Sequence, residues 1–158
     1  MSFAKNWLTN TNTLKLMKEE EKEILLEEFC SRLPYGVKVL WNGNEGEQVV
    51  KIYNVKLYGN GFEDYIINGL QQPEPGYECS LRIDDNVKLY LRPISSMTED
   101  ERQEYMNLCY SLCDFIDNTD YLYPVYHITN WLNAHHFDYR GLIEKKLALE
   151  APENLYEI

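Results

Sequence analysis

The spacing of apolar residues along this chain changes period twice. Over residues 15–33, Ile24, Leu25, Glu28, Phe29 and Leu33 fall on one helical face, with Lys and Glu filling the other. The charge run at 18–28 reads as helix surface. Pro34 stops the helix and Tyr35-Gly36 makes its exit turn. From Val37 the period becomes two. Val37, Val39 and Trp41 alternate with Lys38, which predicts a half-buried strand. Asn42-Gly43-Asn44-Glu45-Gly46 is a turn signal, and strands are expected at 49–58, 62–68, 77–83 and 87–91. Asp84-Asp85-Asn86 joins the last two as a short hairpin.

After Pro93 the helical period returns. Tyr105, Leu108, Cys109, Leu112, Cys113 and Ile116 form a stripe, and Thr98 with Glu101 has the spacing of a capping box. A helix at 124–136 and a short one at 138–146 follow, and the last dozen residues run irregularly. The expected fold class is α+β: an N-terminal helix, a small curled antiparallel sheet or partial barrel of about five strands, and a helical C-terminal half. Residues 1–13 read as a polar arm carrying Trp7-Leu8. Residues 14–158 read as a single domain, β-rich over 36–92 and helical over 97–147. No glycine-rich strand-to-helix fingerprint is present, which argues against a nucleotide-binding α/β fold.

Charge narrows the partners. Twenty-six acidic against 15 basic residues give a formal net charge of -11, which repels phosphate backbones and disfavours nucleic acid. An acidic face laid out in rows would instead mimic nucleic acid and inhibit an enzyme that handles it. The first residues, Met1-Ser2-Phe3-Ala4-Lys5-Asn6, lack an apolar run, and no stretch is long enough to span a bilayer. With four scattered cysteines, a cytoplasmic protein with reduced thiols is expected.

The densest polar cluster is Trp131-Leu132-Asn133-Ala134-His135-His136-Phe137-Asp138-Tyr139-Arg140-Gly141-Leu142-Ile143. As chemistry, His135 or His136 would be a general base, Asp138 its orienter and Arg140 an anion clamp, in a small hydrolase or transferase. As architecture, one imidazole lies at the core edge with Val125, Ile128 and Leu132, and Asp138 caps the next helix. Neighbouring histidines on a helix cannot aim both rings one way, and no nucleophile stands nearby in sequence. Architecture is the stronger reading.

Other candidates divide the same way. Cys109 and Cys113 lie four apart on one helical face, as metal ligands can, but a second ligand pair is missing and both continue an apolar stripe. Neither a metal nor a cofactor is expected. Asp84-Asp85, and Asp117 with Asp120, sit in turn contexts where Asp bends and caps the chain. The chain holds 13 tyrosines. Tyr53, Tyr58, Tyr65, Tyr77 and Tyr90 could pave one sheet face for stacking, beside Lys38, Lys51, Lys56, Arg82, Lys88 and Arg92. Cross-strand pairing of Tyr with Lys explains the same pattern. Trp7, Tyr53, Tyr58 and Tyr90 are the binding candidates.

Three segments, Leu33-Pro34-Tyr35-Gly36-Val37-Lys38-Val39, Leu89-Tyr90-Leu91-Arg92-Pro93-Ile94-Ser95-Ser96-Met97-Thr98-Glu99 and Trp131 through Ile143, carry a resemblance. The chain resembles short uncharacterised proteins of gut Bacteroidales-type bacteria and their phages and prophages. The likeness runs from the first helix onward and is weakest over 43–77. It brings no activity and no catalytic residues, and implies a small accessory protein of a mobile element. The expected function is non-enzymatic: binding another protein, with self-association as a second arrangement and no role at a membrane.

Overall fold

The computed structural model describes residues 17–43, 46–58, 64–73, 76–84, 86–114 and 122–156; at 57, 58, 64, 65, 112–114 and 122–124 it describes the backbone alone. The first helix, α1, spans Glu19–Arg32. Three glutamates in its first turn and Arg32 in its last complement the helix dipole. Its buried side comprises Leu25, Glu28, Phe29 and Arg32. A single tighter turn, Leu33–Tyr35, follows. Gly36 then takes φ 70°, a left-handed conformation that costs glycine nothing, and turns the chain into the first strand.

The strands are β1 (Lys38–Gly43), β2 (Gly46–Tyr58), β3 (Asp64–Gln71), β4 (Glu78–Arg82), β5 (Val87–Leu91) and β6 (Ala148–Glu150). Their order across the sheet is β4-β3-β2-β1-β5-β6. All neighbours are antiparallel except β5 and β6, which run parallel with Leu89 opposite Ala148. Between β5 and β6 lie α2 (Glu99–Asp114) and α3 (Leu122–Ala134). A parallel pair requires a long crossover, and this helical pair supplies it. Met97, just before α2, packs with Leu132 and Phe137 at the end of α3, and Tyr105 in the first half of α2 meets Trp131 with ring centroids 5.9 Å apart, so the two helices form an antiparallel hairpin.

The expected five-stranded antiparallel sheet and helical C-terminal half are corrected by this topology. The sheet has six strands and is mixed, an open row with edges at β4 and β6 rather than a partial barrel. Helices both precede and follow the run β1 to β5, and the chain returns to the sheet at its end. Residues 138–146 form successive turns instead of a helix. Gly141 (φ 68°) and Lys146 (φ 63°) are left-handed, which no helix tolerates.

The main core packs Leu25 and Phe29 of α1 against Val39, Val50, Ile52, Ile67, Leu89 and Leu91 of the sheet, with Leu142, Leu147 and Ala148 from the last segment. Each of these Val, Leu, Ile and Phe side chains contributes roughly 1.5–3 kcal/mol on burial. A second cluster joins Met97, Leu132 and Phe137, flanked by Tyr105, Trp131 and Tyr139. On α2 the stripe Tyr105, Leu108 and Cys109 is only half-buried.

Candidate functional site

The polar cluster forms at the end of α3. Phe137 N–H donates to Leu132 O (3.0 Å) and His136 N–H to Asn133 O (3.1 Å). These nested bonds make a Schellman ending, whose left-handed position usually holds glycine. Here His136 holds it, with φ 58°. A side chain there costs about 1–2 kcal/mol, so surrounding contacts must fix it.

Those contacts are visible. The His136 imidazole is 3% exposed and stacks on the Tyr156 ring at 3.7 Å. Its Nε2 lies 3.1 Å from Tyr35 O. A carbonyl only accepts, so Nε2 carries the proton and Nδ1 the lone pair. Nδ1 is buried and has no partner among the described residues. Burial, and secondarily the nearby Arg32 charge, push the pKa of His136 down to about 3, so the ring is neutral. Tyr156 donates to Tyr90 O (3.0 Å), and burial pushes its phenol upward.

His135 faces elsewhere. Its Nδ1 lies 2.9 Å from Trp131 O, and its ring stacks on Trp131 at 4.1 Å. Asp138 accepts from the backbone amides of Leu142 and Ile143, each at 2.8 Å. Arg140 pairs with Glu27 (2.7 Å) and with Glu28 Oε1 (3.1 Å). The structure therefore does not gather these four groups around one cleft. Among the described residues neither Asp138 oxygen bonds an imidazole, and His136 is too weak a base, and too enclosed, to take a proton at neutral pH.

Beneath the cluster, Arg32 Nε donates to Glu28 Oε2 at 2.8 Å, both side chains being sealed from solvent. Arg32 Nη2 donates to Phe137 O at 2.9 Å. On the far side, Arg92 N–H donates to His136 O (2.8 Å) and Arg92 O accepts from Asp138 N–H (2.7 Å). The Arg92 guanidinium grips both Glu101 oxygens, at 2.7 and 2.9 Å, and covers the Phe137 ring at 4.4 Å. That grip first, with the Thr98 amide, holds the Glu101 carboxyl down at about 2. Tyr35, Arg92 and His136 thus meet at one joint.

The remaining candidates are dispersed. Tyr53 is the extra residue of a β-bulge, between the pairs Ile52–Gly69 and Asn54–Asn68, and is 48% exposed. Tyr90 is buried. Cys109 is half-buried, and among the described residues no three His, Cys, Asp or Glu side chains cluster as a metal site. Trp7, Asp85, Asp117 and Asp120 lie outside the described residues, as do the side chains of Tyr58, Tyr65 and Cys113 and the arm expected at 1–13.

Sequence reasoning missed Arg32, Tyr156 and a cleft. Arg32 is signalled by Glu28, which stands on an apolar face four residues before it, the spacing of a helical ion pair. The cleft, about 770 Å³, opens between the turn after α1, strands β1 and β2, and residues 154–156, with Tyr35, Lys38, Lys51, Tyr53, His136 and Tyr156 in its lining. A smaller hollow of about 500 Å³ shares the Tyr156 wall and holds Arg92 and Glu101. No family model, curated protein or solved structure matches this chain.

Proposed function

We propose that this protein is a non-enzymatic accessory protein that works by holding another protein against its α2–α3 hairpin. The observation that carries this reading is the surface of that hairpin. Helix α3 has no Asp, Glu, Lys or Arg among its 13 residues, yet its first turns expose Val125 and Tyr126, the latter 63% exposed. On α2, Met106 and Tyr110 are also exposed. Aromatic and Met side chains left at a surface are the groups that anchor interfaces.

Charge favours a partner over a second copy. Helix α2 begins Glu99-Asp100-Glu101, and the whole chain carries -11. A partner with a basic rim is attracted to that surface, whereas a second copy brings like charge. The resemblance to phage and prophage proteins supports a role for a mobile element inside its host's cytoplasm. The polar cluster adds support from the other direction, because its groups are already committed to holding α1, β5 and α3 together.

The test is site-specific photo-crosslinking in the native host, with the photoreactive residue at Tyr126 or Tyr110 and a control at Glu153. The reading expects one discrete heterologous adduct from both hairpin positions and none from the control. Adducts only with itself, or equal adducts at all three positions, contradict it.

A further inference from the structure

The cleft beside His136 reverses the sign of the molecule. The chain has 26 acidic residues, yet among the described residues no Asp or Glu lines this cavity, while Lys38 and Lys51 both do. Those lysines are direct cross-strand partners in β1 and β2. Like charges in that register repel, a cost that a folded sheet ordinarily avoids. Among the described residues neither pairs with a carboxylate. Lys38 Nζ spends one donor on Leu155 O (2.7 Å), leaving two for a ligand. The Lys51 stem crosses Gly36, where an added Cβ would stand 3.0 Å from Cε. A glycine at that turn therefore serves both the left-handed backbone and the path of the Lys51 side chain.

We propose that this cleft binds a small phosphate monoester. A phosphate monoester carries about -1.5 to -2 charges at neutral pH, which two ammonium groups match. Lysine binds phosphate as a point charge, whereas planar carboxylates favour the arginine fork. At the cleft, the half-exposed Tyr53 ring offers a face for an apolar or flat part of the ligand. The volume of about 770 Å³ lies in the range of small-molecule sites. This proposal is independent of the hairpin surface, and either can fail without the other.

The test uses the full chain, isotope-labelled, titrated by NMR with ribose phosphate, AMP, inorganic phosphate and adenosine. The expected result is saturable shifts at Gly36, Lys38, Lys51 and Tyr53 with both esters, and none with adenosine. Lys51→Gln, at an exposed side chain, should weaken ester binding about tenfold while leaving the amide spectrum otherwise intact. Lys38→Gln is the second variant and should do the same. Adenosine binding as well as AMP, inorganic phosphate binding as tightly as the esters, or unchanged affinity in Lys51→Gln each overturns the proposal.

Discussion

Arg32 Nη2 donates to the carbonyl of Phe137 at 2.9 Å, joining the last turn of α1 to the chain just past α3 across 105 positions. The same guanidinium holds Glu28 at 2.8 Å within the core. A buried pair of this kind adds little net stability over an apolar pair, but removing Arg32 leaves the buried Glu28 carboxylate with only the partly exposed Arg140 as its cation. Arg32→Met should therefore cost about 3–5 kcal/mol in urea unfolding. Glu27→Gln breaks only the Arg140 contact of a carboxylate that is 64% exposed, and should cost less than about 1 kcal/mol. Equal losses would show that Glu28–Arg32 is not a sealed pair.

The left-handed backbone of His136 separates strain from contact. His136→Ala and His136→Gly both lose the stack on Tyr156 and the bond to Tyr35 O. Only glycine relieves the φ of 58°. The Gly variant should be the more stable of the two by about 1 kcal/mol in the same unfolding assay. Ala equal to or above Gly would place this residue in another conformation.

Acid should weaken the fold in two steps. His136 titrates at about 3 in the fold against about 6.5 unfolded, so the unfolded chain binds the extra proton first. The stability linked to its neutral ring is complete above about 6.5 and drains as pH falls toward about 3. Glu101, held at about 2, contributes stability present above its ordinary value of about 4.5 and lost below it. Between pH about 7 and about 5 only the histidine step operates of these two. The urea midpoint of the wild type should fall over that window, and His136→Asn should flatten the fall. Identical slopes would assign the loss to other groups.

Tyr126→Glu should leave the melting temperature almost unchanged, because an exposed change away from packing is worth within about 0.5 kcal/mol. It should abolish the heterologous adduct formed by a photoreactive residue at Tyr110. A retained adduct would move the partner surface off the hairpin.

Much of the fold is legible from period alone. The break at Pro34-Tyr35-Gly36, the strands β1, β2, β4 and β5, and the reciprocal Thr98–Glu101 cap all follow from local chemistry, and the cap is present with bonds of 2.8 and 3.2 Å. Strand β6 is not legible. Three residues show no alternation, and its place is decided by a parallel partner far along the chain. The helix expected over 138–146 fails because Asp138 spends its carboxylate on Leu142 and Ile143 amides while Gly141 turns left-handed. At the joint, a dense polar run pointed to the right segment, but the groups that decide its chemistry are distant. Glu28, Arg32, Tyr35 and Tyr156 become neighbours of His136 and Phe137 only through tertiary packing, which spacing cannot report.

His136 is built into a joint rather than poised to move protons. Long-range proton–nitrogen NMR on the His136 ring reads this directly, through its tautomer and its titration. The predicted result is a single Nε2–H tautomer that stays neutral from pH about 7 down to about 4.5. A ring that titrates near about 6.5, or that carries its proton on Nδ1, would contradict it.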